Sequence, residues 1–106
     1  MKHTKNMIVK ETAESRELVL YITNDSELYH QQITYIINNL AKKYKKGQYD
    51  KEKAIDAWYY AAEAGAKKYT KEFAWMGQER SIFDVTARYT AAAELEEYYK
   101  EAIEEA

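Results

Sequence analysis

Apolar side chains recur along this chain at helical spacing. Tyr29, Ile33, Ile36, Ile37, Leu40 and Tyr44 follow one another at steps of three and four, the stripe of an amphipathic helix. Asn24, Asp25 and Ser26 offer capping oxygens ahead of it, and Gly47 supplies a stop behind it. Asp50 then caps a further helix whose main face is Ile55, Trp58, Tyr59, Ala62, Ala66 and Tyr69. A second row, Ala54, Ala57, Ala61 and Ala64, runs down its flank beside Gly65. Small residues at that spacing let a neighbouring backbone come close. A close crossing or a break in the helix would each account for a glycine there. Two apolar rows predict a central helix over Asp50–Phe73.

A last helix carries Val85, Tyr89, Ala92, Leu95, Tyr99 and Ile103 inward, with Glu94, Glu97, Glu101, Glu104 and Glu105 outward. Ser81-Ile82-Phe83-Asp84 has the spacing of a capping box at its start. Acidic residues at its C-terminal end oppose the helix dipole, so the final turn is expected to fray. Phe73-Ala74-Trp75-Met76-Gly77 reads as an apolar connection around a turn. Glu14–Asn24 is ambiguous between helix and strand. Leu18, Tyr21 and Ile22 share a helical face, while a hairpin of Met7–Thr12 with Leu18–Thr23 lacks a tight-turn residue between its arms. A short helix is the reading adopted. The expected fold is a single all-α domain over residues 12–106, a bundle of about four helices, with residues 1–11 as a loose arm.

Composition narrows the chemistry. A chain of 106 residues with no Cys and no Pro excludes a disulfide scaffold, a Cys-based metal site and a thiol nucleophile. The longest apolar run, Leu18 to Ile22, is too short for a membrane span, and no signal core follows the N-terminus. A soluble, cytoplasmic protein is expected. Its two histidines are His3, in the arm, and His30, at the edge of an apolar stripe. Glu27 and His30 match half of a di-iron helix motif, but the second Glu-x-x-His pair is missing. Ser15, Ser26 and Ser81 each lie at or near a helix start, where capping explains them. The expectation is a protein without catalytic residues, metal or cofactor.

Charge and tyrosine content leave two binding readings. Residues 1–53 carry ten basic and seven acidic side chains, whereas residues 84–106 carry two and seven. Lys42, Lys43, Lys45, Lys46, Lys51 and Lys53 surround Tyr44 and Tyr49 at the turn between the second and third helices. Such lysines could hold a phosphate backbone while Tyr49, free in the loop, stacks on bases. Against this sequence-independent nucleic-acid reading stand the net charge of −2 and the predominance of Lys, 13 of 16 basic residues. A dipole-complementing helix end also explains the cluster. Nucleic acid is therefore the second choice.

The first choice is protein binding. Of eleven tyrosines, Tyr35, Tyr60 and Tyr98 point well away from the apolar centres of their helices. Exposed tyrosines are enriched at protein interfaces. The alanine row also permits a homodimer.

Residues Glu17-Leu18, Tyr21-Ile22, Asn24-Asp25, Leu28-Tyr29, Asn39-Leu40, Lys46-Gly47-Gln48-Tyr49-Asp50, Trp58, Gly65-Ala66 and Lys71-Glu72-Phe73 resemble a family of short helical phage and mobile-element proteins. The resemblance covers most of residues 17–73 and implies an accessory protein acting on a host or phage protein. Inhibition of a host defence system such as CRISPR-Cas is one such role. It carries over no catalytic or binding residues. Residues 49–65 also resemble the second helix of one Sel1-type repeat. No copy recurs at a fixed period, so a solenoid is excluded.

Overall fold

The computed structural model describes residues 12–73 and 83–106. Among these residues the chain forms four helices and no strand. They are α1 (Ala13–Thr23), α2 (residues 26–45), α3 (Lys51–Glu72) and α4 (Val85–Glu105). The expected arm, residues 1–11, lies outside the described residues, as do Ala74–Gly77 of the predicted connection. No described helix is long and apolar enough to cross a membrane.

The ambiguous first segment is a helix. Thr12 and Ser15 form a capping box, each side chain accepting from the other's backbone N–H. This local closure, together with Leu18 and Ile22 buried on one face, resolves the choice against a strand.

The helix α2 starts where the capping oxygens predicted, with the Asp25 side chain accepting from Leu28 N–H at 2.8 Å. It is not regular. Residues Tyr29–Ile33 form a π turn, closed by Thr34 N–H donating to the Tyr29 carbonyl five residues back. In a regular α-helix, residues five apart point to different sides. The wider turn instead brings Leu28 and Ile33 onto one inward face, and both are buried. Tyr29, expected inward, is 41% exposed in consequence. Tyr44, near the other end of the stripe, is also a correction at 42% exposed. The chain there is leaving the bundle for the turn at Gly47, whose φ of +71° is a conformation glycine adopts without penalty.

Helix α4, rather than the expected α3, is the hub: α1, α2 and α3 all pack on it, α3 most extensively, and α3 also packs on α1. Trp58 is fully buried and stacks on Tyr99 of α4 with ring centroids 5.1 Å apart. Tyr59 and Tyr89 form a second stack across the same interface, at 4.1 Å. Tyr59 and Tyr69 are half-buried at the margin of the core. Gly65 sits against α1. A Cβ built there would fall 2.7 Å from Ile22 Cδ1, so the glycine marks a close crossing in an unbroken helix.

Helix α4 is capped by Asp84, whose side chain accepts from Ala87 N–H at 2.8 Å. The capping oxygen therefore comes from the residue read as the third position of the box, and Ser81 lies outside the described residues. Val85 is only half-buried, one residue past the cap. The final turn, expected to fray, stays helical through Glu105 because Ile103 is buried and anchors it. Glu97, Glu101, Glu104 and Glu105 are exposed as expected, whereas Glu94, also expected outward, is half-buried. Glu96 is fully buried, which the helical pattern did not suggest.

Candidate functional site: a tyrosine-edged basic groove

Helices α2 and α3 both pack on α4 but meet each other sparingly. Between them opens a groove of about 690 Å³. One wall is the α2 row of Gln32, Tyr35, Ile36, Asn39, Leu40 and Lys43, at steps of three and four. The other is Lys53, Ala54, Ala57 and Tyr60 of α3. Ala54 and Ala57 open the groove for a plain reason: their methyl groups cannot fill the space that larger side chains would close. Of the four alanines read as a close-contact row, Ala57 is thus half-buried beside the cleft, while Ala54 lines it and is itself fully buried in the core.

The structure sorts the three singled-out tyrosines. Tyr35, Tyr60 and Tyr98 are 68%, 64% and 65% exposed. Tyr35 and Tyr60 line the groove, one from each wall. Tyr98 does not. It sits on α4, edge-on to Tyr99 at 4.8 Å. The deeper Tyr99 has its phenol pushed up to about 12, chiefly by burial and then by the nearby Tyr98 and Tyr29 hydroxyls.

The lysine cluster divides as well. Lys42, Lys43, Lys46 and Lys53 line the groove, with Asp50 among them. Lys45 and Lys51 do not, and Lys51 lies 3.9 Å from Glu97 of α4 in an exposed pair. Asp50 is also the cap of α3, accepting from Glu52 and Lys53 N–H at 2.9 and 3.3 Å.

Tyr49 departs most from expectation. It is half-buried, its hydroxyl donates to Glu96 Oε2 at 2.6 Å, and its ring meets Tyr44 edge-on at 6.2 Å. Burial, then the Glu96 hydrogen bond and the Glu96 and Glu104 charges, hold its phenol well above the usual tyrosine range. The side chain proposed to stack freely on bases is committed to the fold. Pattern reading missed Glu96 because a single glutamate beside an apolar stripe looks like any boundary residue.

A second polar cluster ties α1 and the start of α2 to α3. Lys68 Nζ lies 2.8 Å from Asp25 Oδ2 and 3.0 Å from Glu27 Oε1. Tyr21 donates to Glu72 at 2.5 Å and Tyr69 to Glu17 at 3.1 Å. Glu27, read as half of a metal motif, is thus engaged with Lys68. His30 is exposed and meets Tyr29 edge-on. Among the described residues, no three metal-ligating side chains come together.

The groove and this cluster define a small helical domain with a concave, basic, tyrosine-edged face. Comparison with family models, curated proteins and solved structures yields no match.

Proposed function

We propose that this chain is a non-enzymatic, protein-binding accessory protein whose docking surface is the α2–α3 groove. One observation carries the reading: Tyr35 and Tyr60, remote in sequence, are both exposed and face one groove from opposite walls. A tyrosine offers a large, stiff contact surface at low entropic cost, and such residues concentrate binding energy at interfaces. The buried side chains Ile36, Leu40 and Ala54 give the groove an apolar floor between them. The resemblance of residues 17–73 to short helical phage and mobile-element proteins supports the context. The partner is then a host or phage protein in the bacterial cytoplasm, and inhibition of a host defence system such as CRISPR-Cas is the role of choice.

Capture from a bacterial lysate tests this, using wild type, a Tyr35→Ala/Tyr60→Ala variant and a Tyr98→Ala variant. The groove variant is expected to lose the partners that wild type and Tyr98→Ala retain. Identical partners for all three chains would remove the groove from the interface.

A further inference from the structure

We infer that the α2–α3 groove receives an acidic amphipathic helix of a partner protein; this rests on the groove being the protein-docking surface. Gln32 and Lys43 bound the α2 wall, a stretch about 16 Å long at about 1.5 Å rise per residue. That length matches about three turns of a partner helix lying alongside. The exposed edges of Ile36 and Leu40 and the half-buried Ala57 present apolar surface along it, suited to anchors at i, i+3 or i+4, and i+7. Tyr35 and Tyr60 flank the seam.

Charge selects the occupant. Lys42, Lys43, Lys46 and Lys53 outnumber Asp50 along the groove by four to one, although the whole chain has a net charge of −2. Carboxylates on the flanks of a docked helix would meet these ammonium groups, and steering by them would raise the association rate. A second copy of this chain fits poorly, because a two-fold groove-on-groove contact would set lysine against lysine. Nucleic acid also fits poorly. The floor is apolar, Asp50 stands among the lysines, and Tyr49 is held by Glu96.

Selection from a displayed library of 16-residue peptides constrained as helices, with flanking charge left random, tests the inference. The expected winners carry apolar residues at i, i+3 or i+4, and i+7, with a clear excess of Glu and Asp. Their affinity should fall at least tenfold with Tyr35→Ala/Tyr60→Ala. It should fall at least tenfold with Lys42→Gln/Lys46→Gln/Lys53→Gln, and weaken as salt rises. Circular dichroism and thermal melts show whether each variant keeps its fold. Photo-crosslinking from position 35 supplies a readout that needs no loss of residues in the basic rim.

Winners that depend on both tyrosines but show no acidic bias would overturn the inference and leave the groove as a docking surface. Winners indifferent to the tyrosines, or no winners at all, would overturn both. So would single- or double-stranded oligonucleotides binding the groove more tightly than any peptide, or light scattering showing a dimer that Tyr35→Ala/Tyr60→Ala dissociates.

Discussion

Tyr49 and Glu96 are 47 residues apart in sequence and 2.6 Å apart in space, the phenol donating to a carboxyl group wholly inside the bundle. This hydrogen bond fastens the turn between α2 and α3 to α4. The second Glu96 oxygen, Oε1, finds no hydrogen-bond partner among the described residues. The group therefore depends on Tyr49. Tyr49→Phe should destabilise the domain by about 2 kcal/mol, since a buried polar group left without its partner costs about 1–3 kcal/mol. In a Glu96→Leu background, where no buried polar group is left to lose its partner, the same change should cost less. Chemical denaturation of the four chains of this cycle measures the difference. Equal costs in both backgrounds would mean that the two residues are uncoupled.

Alkali should unfold the protein. Burial comes first among the causes that raise the phenols of Tyr21, Tyr49, Tyr69, Tyr89 and Tyr99. A raised folded value means that the unfolded chain gives up its phenolic protons first. The stability tied to these groups is complete below about pH 10, the ordinary tyrosine value, and declines above it. For Tyr99 the decline runs to about 12. Melting temperature followed from pH 8 to pH 12 should hold level and then drop, with tyrosinate absorbance rising at the unfolding step. Smooth titration of all tyrosines near pH 10 without loss of helix would contradict this.

At the other end of the scale, Asp25 matters twice. Hydrogen bonding to Lys68 and to Leu28 N–H holds its carboxyl below the usual range. Its stabilisation is present above the unfolded value near 3.8 and is lost as pH falls through the lower folded one. Asn is as good a cap as Asp, so Asp25→Asn should remove the ion pair and keep the cap. Asp25→Ala removes both and should cost about 1 kcal/mol more. The acid limb of stability below about pH 4 should be shallower in both variants than in wild type. Thermal melts across pH 2–6 decide it.

Gly65 offers a test of the crossing between α1 and α3. Ala is a better helix former by about 1 kcal/mol, so on propensity alone Gly65→Ala would stabilise. The Ile22 side chain occupies the space that the new methyl group needs. Overpacking costs about 1–3 kcal/mol, so net loss of stability is expected. In an Ile22→Ala background, which lacks both the Cγ1 and the Cδ1 that crowd the site, the loss should shrink. A stabilised Gly65→Ala protein would show that α1 moves aside freely.

Local sequence determined a good deal of this protein. The 3.6-residue period placed three of the four helices and stayed ambiguous over Glu14–Asn24, Asp25 and Asp50 announced two of the starts, and Trp58 and Leu95 declared themselves core. Such features are legible because the repeat and the cap act within a few residues, whatever surrounds them. The exposure of Tyr35, Tyr60 and Tyr98 was legible for the same reason, since a residue opposite an apolar stripe faces outward. Other features depended on distances between helices. The π turn that buries Leu28 in place of Tyr29 answers to what α2 packs against, and a one-residue change in winding leaves no mark in the local pattern. Glu96 became an interior group only because the turn carrying Tyr49 folds over it. The groove drew Tyr35, Tyr60 and four of the six turn lysines together because α2 and α3 both lean on α4 more than on each other. No repeat in either helix encodes that angle. It is the outcome of how three apolar faces share one core.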